Sequence, residues 1–298
     1  MPPILRWTLA LAVLGIAAGW LLTRPQGFEA AALDGVSADV AHGEQVFLAA
    51  GCASCHVAPE AEAEDGAPRV LSGGQRFASP FGTFLAPNIS PHPVHGVGGW
   101  SDAELVTAIM HGVSPDGAHY YPAFPYAAYG RAEPEDILSL IAYLRTLPES
   151  DVPSQPHEVG FPFNIRRGLG LWKRLFVPEG WVVDAARTPE AARGRYLAEA
   201  LAHCGECHTP RNVLGGLDTD RWLAGGPNPA GEGRIPNITP GGLDWSESDI
   251  VAYLTTGFTP EYDTAGGEMV AVIENLSQLP EADRQAIAAY LKAVSPVE

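Results

Sequence analysis

The sequence CASCH at residues 52–56 and the sequence CGECH at residues 204–208 contain all four cysteines of this 298-residue chain. Both have the same frame, in which two residues separate the cysteines and a histidine follows directly. A disulfide across two intervening residues closes a very small loop and stabilises little. A thioredoxin-like redox pair does not explain a histidine directly after both cysteine pairs, and a zinc site built from all four cysteines leaves both histidines without a role.

Cys-x-x-Cys-His is the attachment signature of c-type haem. The two thiols add to the haem vinyl groups, and the histidine that follows is thereby aimed at the iron as its proximal ligand. Because this chemistry gives every residue of both frames a role, the sequence predicts two covalently bound haem c groups. The predicted residues are Cys52, Cys55 and His56 for haem 1 and Cys204, Cys207 and His208 for haem 2.

Similar segments surround both motifs in the same order. AHGEQVFLAAG precedes Cys52 and ARGRYLAEALAH precedes Cys204, while the turns APNISP and IPNITP follow them. GWSDAELVTAIMHG and DWSESDIVAYLTTG come next, and each copy closes with a segment of helical apolar spacing. A repeat of this size predicts two copies of one domain. Since no stretch has a convincing β-sheet pattern, we predict an all-α fold with tandem domains at 38–147 and 189–298, joined by a linker at 148–188.

An uncharged segment, WTLALAVLGIAAGWLLT, occupies residues 7–23. Its length reaches the lower limit of about 17–25 residues for a spanning helix and exceeds the apolar core of about 7–15 residues in most signal peptides. An AAA stretch at 30–32 offers a cleavage site to the alternative reading. We therefore expect residues 1–24 to be a transmembrane anchor, with a cleaved signal sequence as the alternative, and in both cases the remainder is exported.

The chain is acidic, with 35 acidic residues against 18 basic ones and a net charge of −17. Nucleic-acid binding requires a basic face that neutralises phosphates, so the surface as a whole is not suited to it. Such a surface is either simply solvated or suited to docking a basic soluble partner.

Longer stretches of the chain are similar to one known family. FGTFLAPNISPHPVHGVGGWSDAEL, YYPAFPY, FNIRRGLGLWK and HCGECHTPRN resemble the membrane-anchored dihaem cytochromes c of bacteria, which are built from class I cytochrome c domains. This resemblance covers residues 20–298 and extends to the cytochrome c subunits of periplasmic alcohol and aldehyde dehydrogenases. It implies that a proline carbonyl accepts a hydrogen bond from each proximal histidine, with Pro87 serving His56 and Pro236 serving His208.

An electron-transfer haem commonly takes methionine as its second axial ligand. Aligning Trp100 with Trp245 without gaps pairs Phe124 with Met269, which predicts Met269 as the distal ligand of haem 2. Some relatives place a methionine at Ala132 instead, so the first copy lacks sulfur at both expected positions. The sequence leaves a protein ligand and an open or water-filled site as alternatives for haem 1. The candidate protein ligands are Met110, His111, His119, His92 and His95.

The linker contains FPFNIRRGLGLWKRLFVPEGW, which combines cations with large apolar residues. Such a segment is suited either to membrane headgroups or a partner, or to packing across the domain interface. Gly168 and Gly170 argue against a long amphipathic helix.

The expected function is electron transfer by a non-enzymatic protein. As the resemblance implies, the protein would sit in the inner membrane through one N-terminal helix, with its haem domains in the periplasm. The expected donor is a periplasmic dehydrogenase or a quinol-oxidising complex, and the acceptor is a soluble cytochrome c or a terminal oxidase of the respiratory chain. The alternatives are a dihaem enzyme with an open first haem, either peroxidase-like or thiosulfate dehydrogenase-like, and a dihaem subunit of a haem–copper oxidase.

Overall fold

The computed structural model describes residues 2–59, 69–228, 231 and 233–298, and this part of the chain is mostly helical. The α-helices, in chain order, are α1 Pro3–Leu22, α2 Val40–Ala49, α3 Cys52–His56, α4 Asp102–Val106, α5 Tyr126–Tyr129, α6 Pro134–Leu144, α7 Leu169–Phe176, α8 Pro189–Arg195, α9 Gly205–His208, α10 Glu247–Thr256, α11 Met269–Leu276 and α12 Glu281–Ala293. Two of them continue as π-helical turns, α4 into Thr107–His111 and α8 into Tyr196–Leu201. Short 3₁₀ turns occur at Ala30–Leu33, Arg166–Gly168 and Thr219–Arg221.

The all-α prediction was wrong in one respect, because two short antiparallel hairpins are present. The first pairs β1, Arg76–Ser79, with β2, Gly82–Leu85, and the second pairs β3, Gly226–Pro227, with β4, Arg234–Ile235. Strands of two to four residues are too short to display the alternation on which a sequence-based assignment depends. Each hairpin lies between a Cys-x-x-Cys-His motif and the proline of the turn that follows it, Pro87 in the first half and Pro236 in the second.

Each half of the chain is organised around one crossing of two helices. Helix α2 packs against α6, and α8 packs against α12. A Cβ atom at Gly43 would lie 1.9 Å from the carbonyl oxygen of Ser139, and one at Gly194 would lie 1.8 Å from that of Ala286. Only glycine permits backbones to approach this closely, so the same device fixes both crossings.

The buried apolar side chains form one cluster that spans both halves. It includes Phe47, Ile137 and Ile141 in the first half and Leu197 and Ile287 in the second. The helix that follows each motif begins with a capping box, formed by Ser101 or Ser246 as N-cap. These repeated local signals explain why two different sequences build matching surroundings.

Helix α1 is fully exposed along its length, and it is the helix in the described residues that is long and apolar enough to cross a membrane. At about 1.5 Å per residue its 20 residues extend for about 30 Å, close to the hydrocarbon thickness of a bilayer. The linker contains the short helix α7, which contacts the end of α1. An eight-residue helix is compatible with the two glycines that exclude a long one.

Candidate haem-attachment sites

In the first motif, hydrogen bonds to the ring nitrogen and to the backbone carbonyl of His56 fix the position of this histidine. Helix α3 consists of the five motif residues and follows Gly51, whose φ of 62° ends the preceding helix. The Nδ1–H of His56 donates to the carbonyl of Pro87 at 2.8 Å, and the His56 carbonyl accepts from the amide of Gly73 at 2.7 Å. The ring is therefore fixed in one orientation, with Nε2 left as the atom that can bind a metal.

The second motif has the same arrangement. His208 Nδ1 lies 2.9 Å from the carbonyl oxygen of Pro236, and the His208 carbonyl accepts from the amide of Gly225 at 2.7 Å. Both hydrogen bonds between proximal histidine and proline carbonyl that the family resemblance implied are thus confirmed. Trp222 packs over Gly205 so closely that a Cβ there would lie 1.9 Å from its ring, which explains the glycine inside the motif.

Two glycines that the sequence reasoning missed hold each histidine and proline together. A Cβ at Gly73, whose φ is 72°, would lie 2.5 Å from the carbonyl carbon of Pro87. Gly225, whose φ is 70°, is placed in the same way, 2.6 Å from the carbonyl carbon of Pro236. The signal was present in the repeat, since LSGG at 71–74 matches LAGG at 223–226.

The ionisation of these groups follows from their burial. Burial lowers the pKa of His56 and of His208, with the proline hydrogen bond acting in the opposite direction, so both rings favour the neutral form. Burial, and then the charge of its partner cysteine, raises the pKa of Cys52 and of Cys204 to about 12. Protonated buried thiols are poor nucleophiles and are not paired as disulfides here.

The donor set in each site fits covalent haem c. Of the two unpaired thiols, one lies a helical turn before the histidine and the other directly precedes it, and the neutral imidazole has its Nδ1 already engaged, so the remaining Nε2 is the iron-binding atom. Within the described residues, no cluster of three or more His, Cys, Asp or Glu side chains forms an alternative metal site. When bound, haem c supplies reversible one-electron chemistry at its iron.

The two motifs lie close to each other. Ser54, inside the first motif, accepts a hydrogen bond from Asn275 of helix α11 at 2.9 Å. The pKa of Cys55 is raised to about 11 by burial and then by the charges of Glu268 and Cys207. Helix α11, from the second half, therefore reaches the first motif.

A second contact joins the motifs on the side of Tyr129. The Tyr129 hydroxyl donates to the carbonyl of Ala50 at 3.2 Å, and its ring stands edge-on to His203 with 5.7 Å between centroids. Ala50 lies two residues before Cys52, and His203 directly precedes Cys204. Tyr129 thus connects the backbone beside one motif with the ring beside the other.

Phe124 lies in an aromatic cluster near the first motif. Its ring centroid is 5.7 Å from that of Tyr129 and 6.1 Å from that of Tyr120. Ala132 is buried in the apolar core. The position that holds sulfur in the second copy is therefore filled by packed carbon in the first.

The residues that could replace this sulfur as a ligand differ in how far packing and hydrogen bonds already engage their side chains. Met110 is buried among core side chains, and the ring of His111 packs on Phe28 at 6.0 Å. His119 Nε2 lies 3.0 Å from the carbonyl oxygen of Thr23 at the end of α1, with its Nδ1 buried and unpartnered among the described residues.

The two histidines of the longer loop are engaged with each other. His92 and His95 stack with 5.3 Å between ring centroids. His92 Nδ1 accepts from the amides of Val94 and His95 at 3.2 and 3.0 Å. Its Nδ1 is therefore satisfied by its own loop.

Met269 is the first residue of α11 and is partly exposed. The preceding Glu268 is near enough to raise the pKa of Cys207, after the larger effects of burial and Glu206. Because Glu268 also raises the pKa of Cys55, the start of α11 lies near both motifs, and Met269 as the distal ligand of haem 2 stays a prediction.

Comparison with known proteins gives consistent results. The cytochrome c family model matches residues 40–148. A diheme cytochrome c-type protein of Cereibacter sphaeroides is 56% identical over 97% of both chains. The fructose dehydrogenase cytochrome subunit of Gluconobacter japonicus is 41% identical over 86% of this chain and 52% of its own length. The cytochrome c subunit of a quinone-dependent alcohol dehydrogenase from Gluconacetobacter polyoxogenes is 32% identical over 98% of this chain and 62% of its own length.

The chain therefore spans between half and two thirds of those two dehydrogenase subunits but nearly the whole of the Cereibacter protein. The latter match, together with the motif geometry, assigns covalently bound haem c as the cofactor. On this evidence the chain belongs to the dihaem cytochrome c family.

Proposed function

We propose that this protein is the electron-transfer partner of a dehydrogenase, built from two tandem class I cytochrome c domains at residues 38–147 and 189–298. Cys52, Cys55 and His56 hold haem 1, and the second set consists of Cys204, Cys207 and His208. Met269 completes the coordination of haem 2. The observation that carries the proposal is the matching of both sites, each with two free thiols and a neutral, oriented imidazole.

The residues of the chain set up electron transfer by holding and shielding the redox groups. The hydrogen bonds to Pro87 and Pro236 fix the imidazoles and increase their basicity as ligands. The close approach of the motifs, through Tyr129 and α11, favours direct exchange between the two sites. Electron transfer in this arrangement does not require a substrate molecule to enter either haem site.

Helix α1 is the membrane anchor in this proposal, and the haem domains lie in the periplasm. Its length, its apolar composition and its full exposure support this assignment. The names of the relatives support a dehydrogenase as donor, since several are cytochrome subunits of such enzymes. They favour an electron carrier over a dihaem enzyme. The proposed acceptor is a soluble cytochrome c or a terminal oxidase.

A genetic complementation experiment tests the proposal. Deleting the gene should abolish oxygen uptake by membranes with the substrate of one dehydrogenase, and the wild-type chain should restore it. The double variants Cys52→Ser/Cys55→Ser and Cys204→Ser/Cys207→Ser should each retain one covalent haem in denatured protein and fail to restore the uptake.

Unchanged respiration with every dehydrogenase substrate would contradict the role as an electron carrier. Haem that is extracted by acidified acetone from the denatured wild-type protein would contradict covalent attachment. Recovery of the full-length protein in the soluble fraction, with a trimmed N-terminus, would contradict the anchor alone.

A further inference from the structure

We propose that the linker and a loop of the second half form a surface that lies on the lipid headgroups beside the anchor. This lipid-facing surface consists of residues 161–176 together with Val213 and Leu214. The proposal rests on the proposed role of α1 as a membrane anchor, and it adds a second, peripheral contact between the folded body and the bilayer.

The linker binds the end of α1 directly. Arg167 donates to the carbonyl of Trp20 at 2.6 Å and to the hydroxyl of Thr23 at 3.1 Å, with its guanidinium 4.0 Å from the Trp20 ring centroid. Arg174 donates to the carbonyl of Leu22 at 2.5 Å. A helix leaves its last carbonyls without partners, so these cations satisfy them and complement the helix dipole.

Contact with α1 uses only one side of α7. Gly170 lies so close to Thr23 that a Cβ there would be 2.4 Å from its carbonyl oxygen, which places residues 167, 170 and 174 against the anchor. Lys173 points inward and donates to the carbonyls of His111 and Gly112. The position of α7 is therefore fixed from two directions.

The third side of α7 is apolar and exposed. Leu171 and Leu175, one turn apart, are 49% and 62% exposed, and the preceding residues Phe161 and Ile165 are exposed to 81% and 55%. These side chains stand next to the side that holds α1, because residues 171 and 175 each follow an anchor-facing residue by one position. Monomeric soluble proteins rarely expose neighbouring large apolar side chains in this way.

The surface continues onto the second half. Trp172 donates from its indole nitrogen to the carbonyl of Leu214 at 2.8 Å, which brings the exposed Val213 and Leu214 to α7. Gly215 lies under Phe81, whose ring contacts Phe163 edge-on at 5.0 Å. Both halves thus contribute apolar side chains to one area around the end of α1.

The charge around this surface selects a lipid bilayer as its occupant. The chain has a net charge of −17, yet Arg167 and Arg174 of this surface lie against the end of α1, whereas Lys173 points inward. Arg24 and Arg174 are exposed at the end of α1. Cations at the rim of an apolar surface suit acidic headgroups, with the leucines reaching the acyl boundary.

Continuity with the anchor gives the geometric reason. A spanning α1 ends at Leu22, and Trp20 lies at the level where tryptophan is enriched, at the membrane interface. A surface attached to Trp20, Leu22 and Thr23 by hydrogen bonds is then held at headgroup depth. A protein partner would have to fit between this surface and the bilayer.

Photochemical lipid labelling of the full-length haem-loaded protein tests the proposal. The protein is placed in nanodiscs of phosphatidylcholine and phosphatidylglycerol that contain a phospholipid with a diazirine close to the headgroup, and adducts are mapped by mass spectrometry after photolysis. We expect adducts on α1, on residues 161–176 and at 213–214. The loop around Val94 is the internal control, since Val94 is 75% exposed. This loop precedes α4, whereas α7 contacts the far end of the π-helical turn that continues α4.

Two matched variants sharpen the test. Leu171→Asp/Leu175→Asp should lose the linker adducts and keep those on α1, whereas Val94→Asp should change neither. Both variants should retain two haems per chain, because the substituted side chains are exposed. Linker adducts should also decrease when phosphatidylglycerol is omitted.

The outcomes separate this proposal from that of the anchor. Labelled α1 with a linker no more labelled than the Val94 loop would overturn the lipid-facing surface and leave the anchor intact. Unlabelled α1 would overturn the anchor itself. If protein crosslinking in native membranes attaches residues 161–176 to another chain, while lipid labelling of them fails, the surface belongs to a protein partner and the proposal is wrong.

Discussion

The two halves of the chain share one scaffold but differ in the segment opposite the proximal histidine. The helix crossings at Gly43 and Gly194 and the carbonyls of Pro87 and Pro236 occupy equivalent places. In the first half the segment 119–129 packs on the linker and on α1, whereas in the second half the matching segment leads into α11 with Met269 at its start. One copy carries in this segment the methionine that we propose as a ligand, and the other uses the same segment to dock against the linker and α1.

The register of this comparison is visible in the backbone. Val113 pairs with His119 in the first half, and Phe258 pairs with Thr264 in the second. Both pairs have the spacing that the gapless alignment of Trp100 with Trp245 requires. Phe124 and Met269 follow five residues after His119 and Thr264, so the difference lies in the side chains and not in a shift of the chain.

The largest expected effect comes from removing the one predicted sulfur ligand. Met269→Ala should abolish the weak long-wavelength band of iron–methionine charge transfer and lower the potential of haem 2, because methionine favours ferrous iron. Met110→Leu is the control, since Met110 is buried among core side chains and leucine conserves its volume. Absorption spectra of the oxidised variants provide the measurement. A band that survives in Met269→Ala but not in Met110→Leu would assign the ligand to Met110.

The two helix crossings should respond alike to an added methyl group. Gly43→Ala and Gly194→Ala force the backbones apart, so each should lower the free energy of unfolding by about 1–3 kcal/mol. Gly160→Ala is the control and should stay within about 0.5 kcal/mol, because nothing lies within 4 Å of its Cβ position. Denaturant titration measures all three. Equal stability of Gly43→Ala and Gly160→Ala would show that the first crossing is looser than its counterpart.

Lys173 of the linker, which contacts the first half, should make stability depend on pH. Burial, and then the charge of Arg166, lowers its pKa to about 7 in the folded protein. From about pH 7 to the ordinary lysine pKa of 10.5, the unfolded chain holds a proton that the folded chain has released, so stability rises with pH. The slope due to this group should approach about 1.4 kcal/mol per pH unit.

Chemical denaturation between pH 7 and pH 9 measures this slope. Lys173→Met should remove it, whereas Lys292→Met, which changes an exposed lysine, should leave it in place. A slope that is the same in both variants would show that Lys173 stays charged through its bonds to the carbonyls of His111 and Gly112.

The last comparison concerns a pair of equivalent ion contacts, one of which should give the smallest effect. Asp283 accepts two hydrogen bonds from Arg193 in the second half, and Asp136 takes the same place opposite His42 in the first. The Arg193 side chain is 41% exposed, so water screens this pair and Asp283→Asn should cost about 1 kcal/mol or less.

Asp136 also accepts from the Tyr196 hydroxyl of the other half at 2.5 Å. Asp136→Asn should therefore cost more, about 1.5–3 kcal/mol, because hydrogen bonds to a charged group are lost. The measurement is the denaturation midpoint of both variants. A smaller cost for Asp136→Asn would argue against this link between the halves.

The sequence predicted the parts of the molecule that depend on local pattern. Residue spacing along the chain is sufficient to identify the motifs, the repeat, the helices around them and the apolar α1. The bonds from His56 and His208 to proline carbonyls were accessible through the family resemblance. The short hairpins were missed, because strands of two to four residues carry too little pattern.

Contacts between distant segments were not accessible in the same way. The attachment of α1 to Arg167 and Arg174 joins residues 147 and 152 positions apart. Sequence periodicity does not indicate such a contact, and the basic, apolar linker was compatible with contact to membrane headgroups or a partner and with packing across the domain interface. The nearness of the two motifs through Asn275 and Tyr129 likewise depends on how the halves pack.

A spectroscopic redox titration of the native protein tests the central claim, that the two copies differ at the distal ligand. We expect two one-electron components, of which the one with the higher potential carries the iron–methionine band and the one with the lower potential lacks it. Two components that both carry the band would contradict the account, because a second sulfur ligand would then have to be present in the first half.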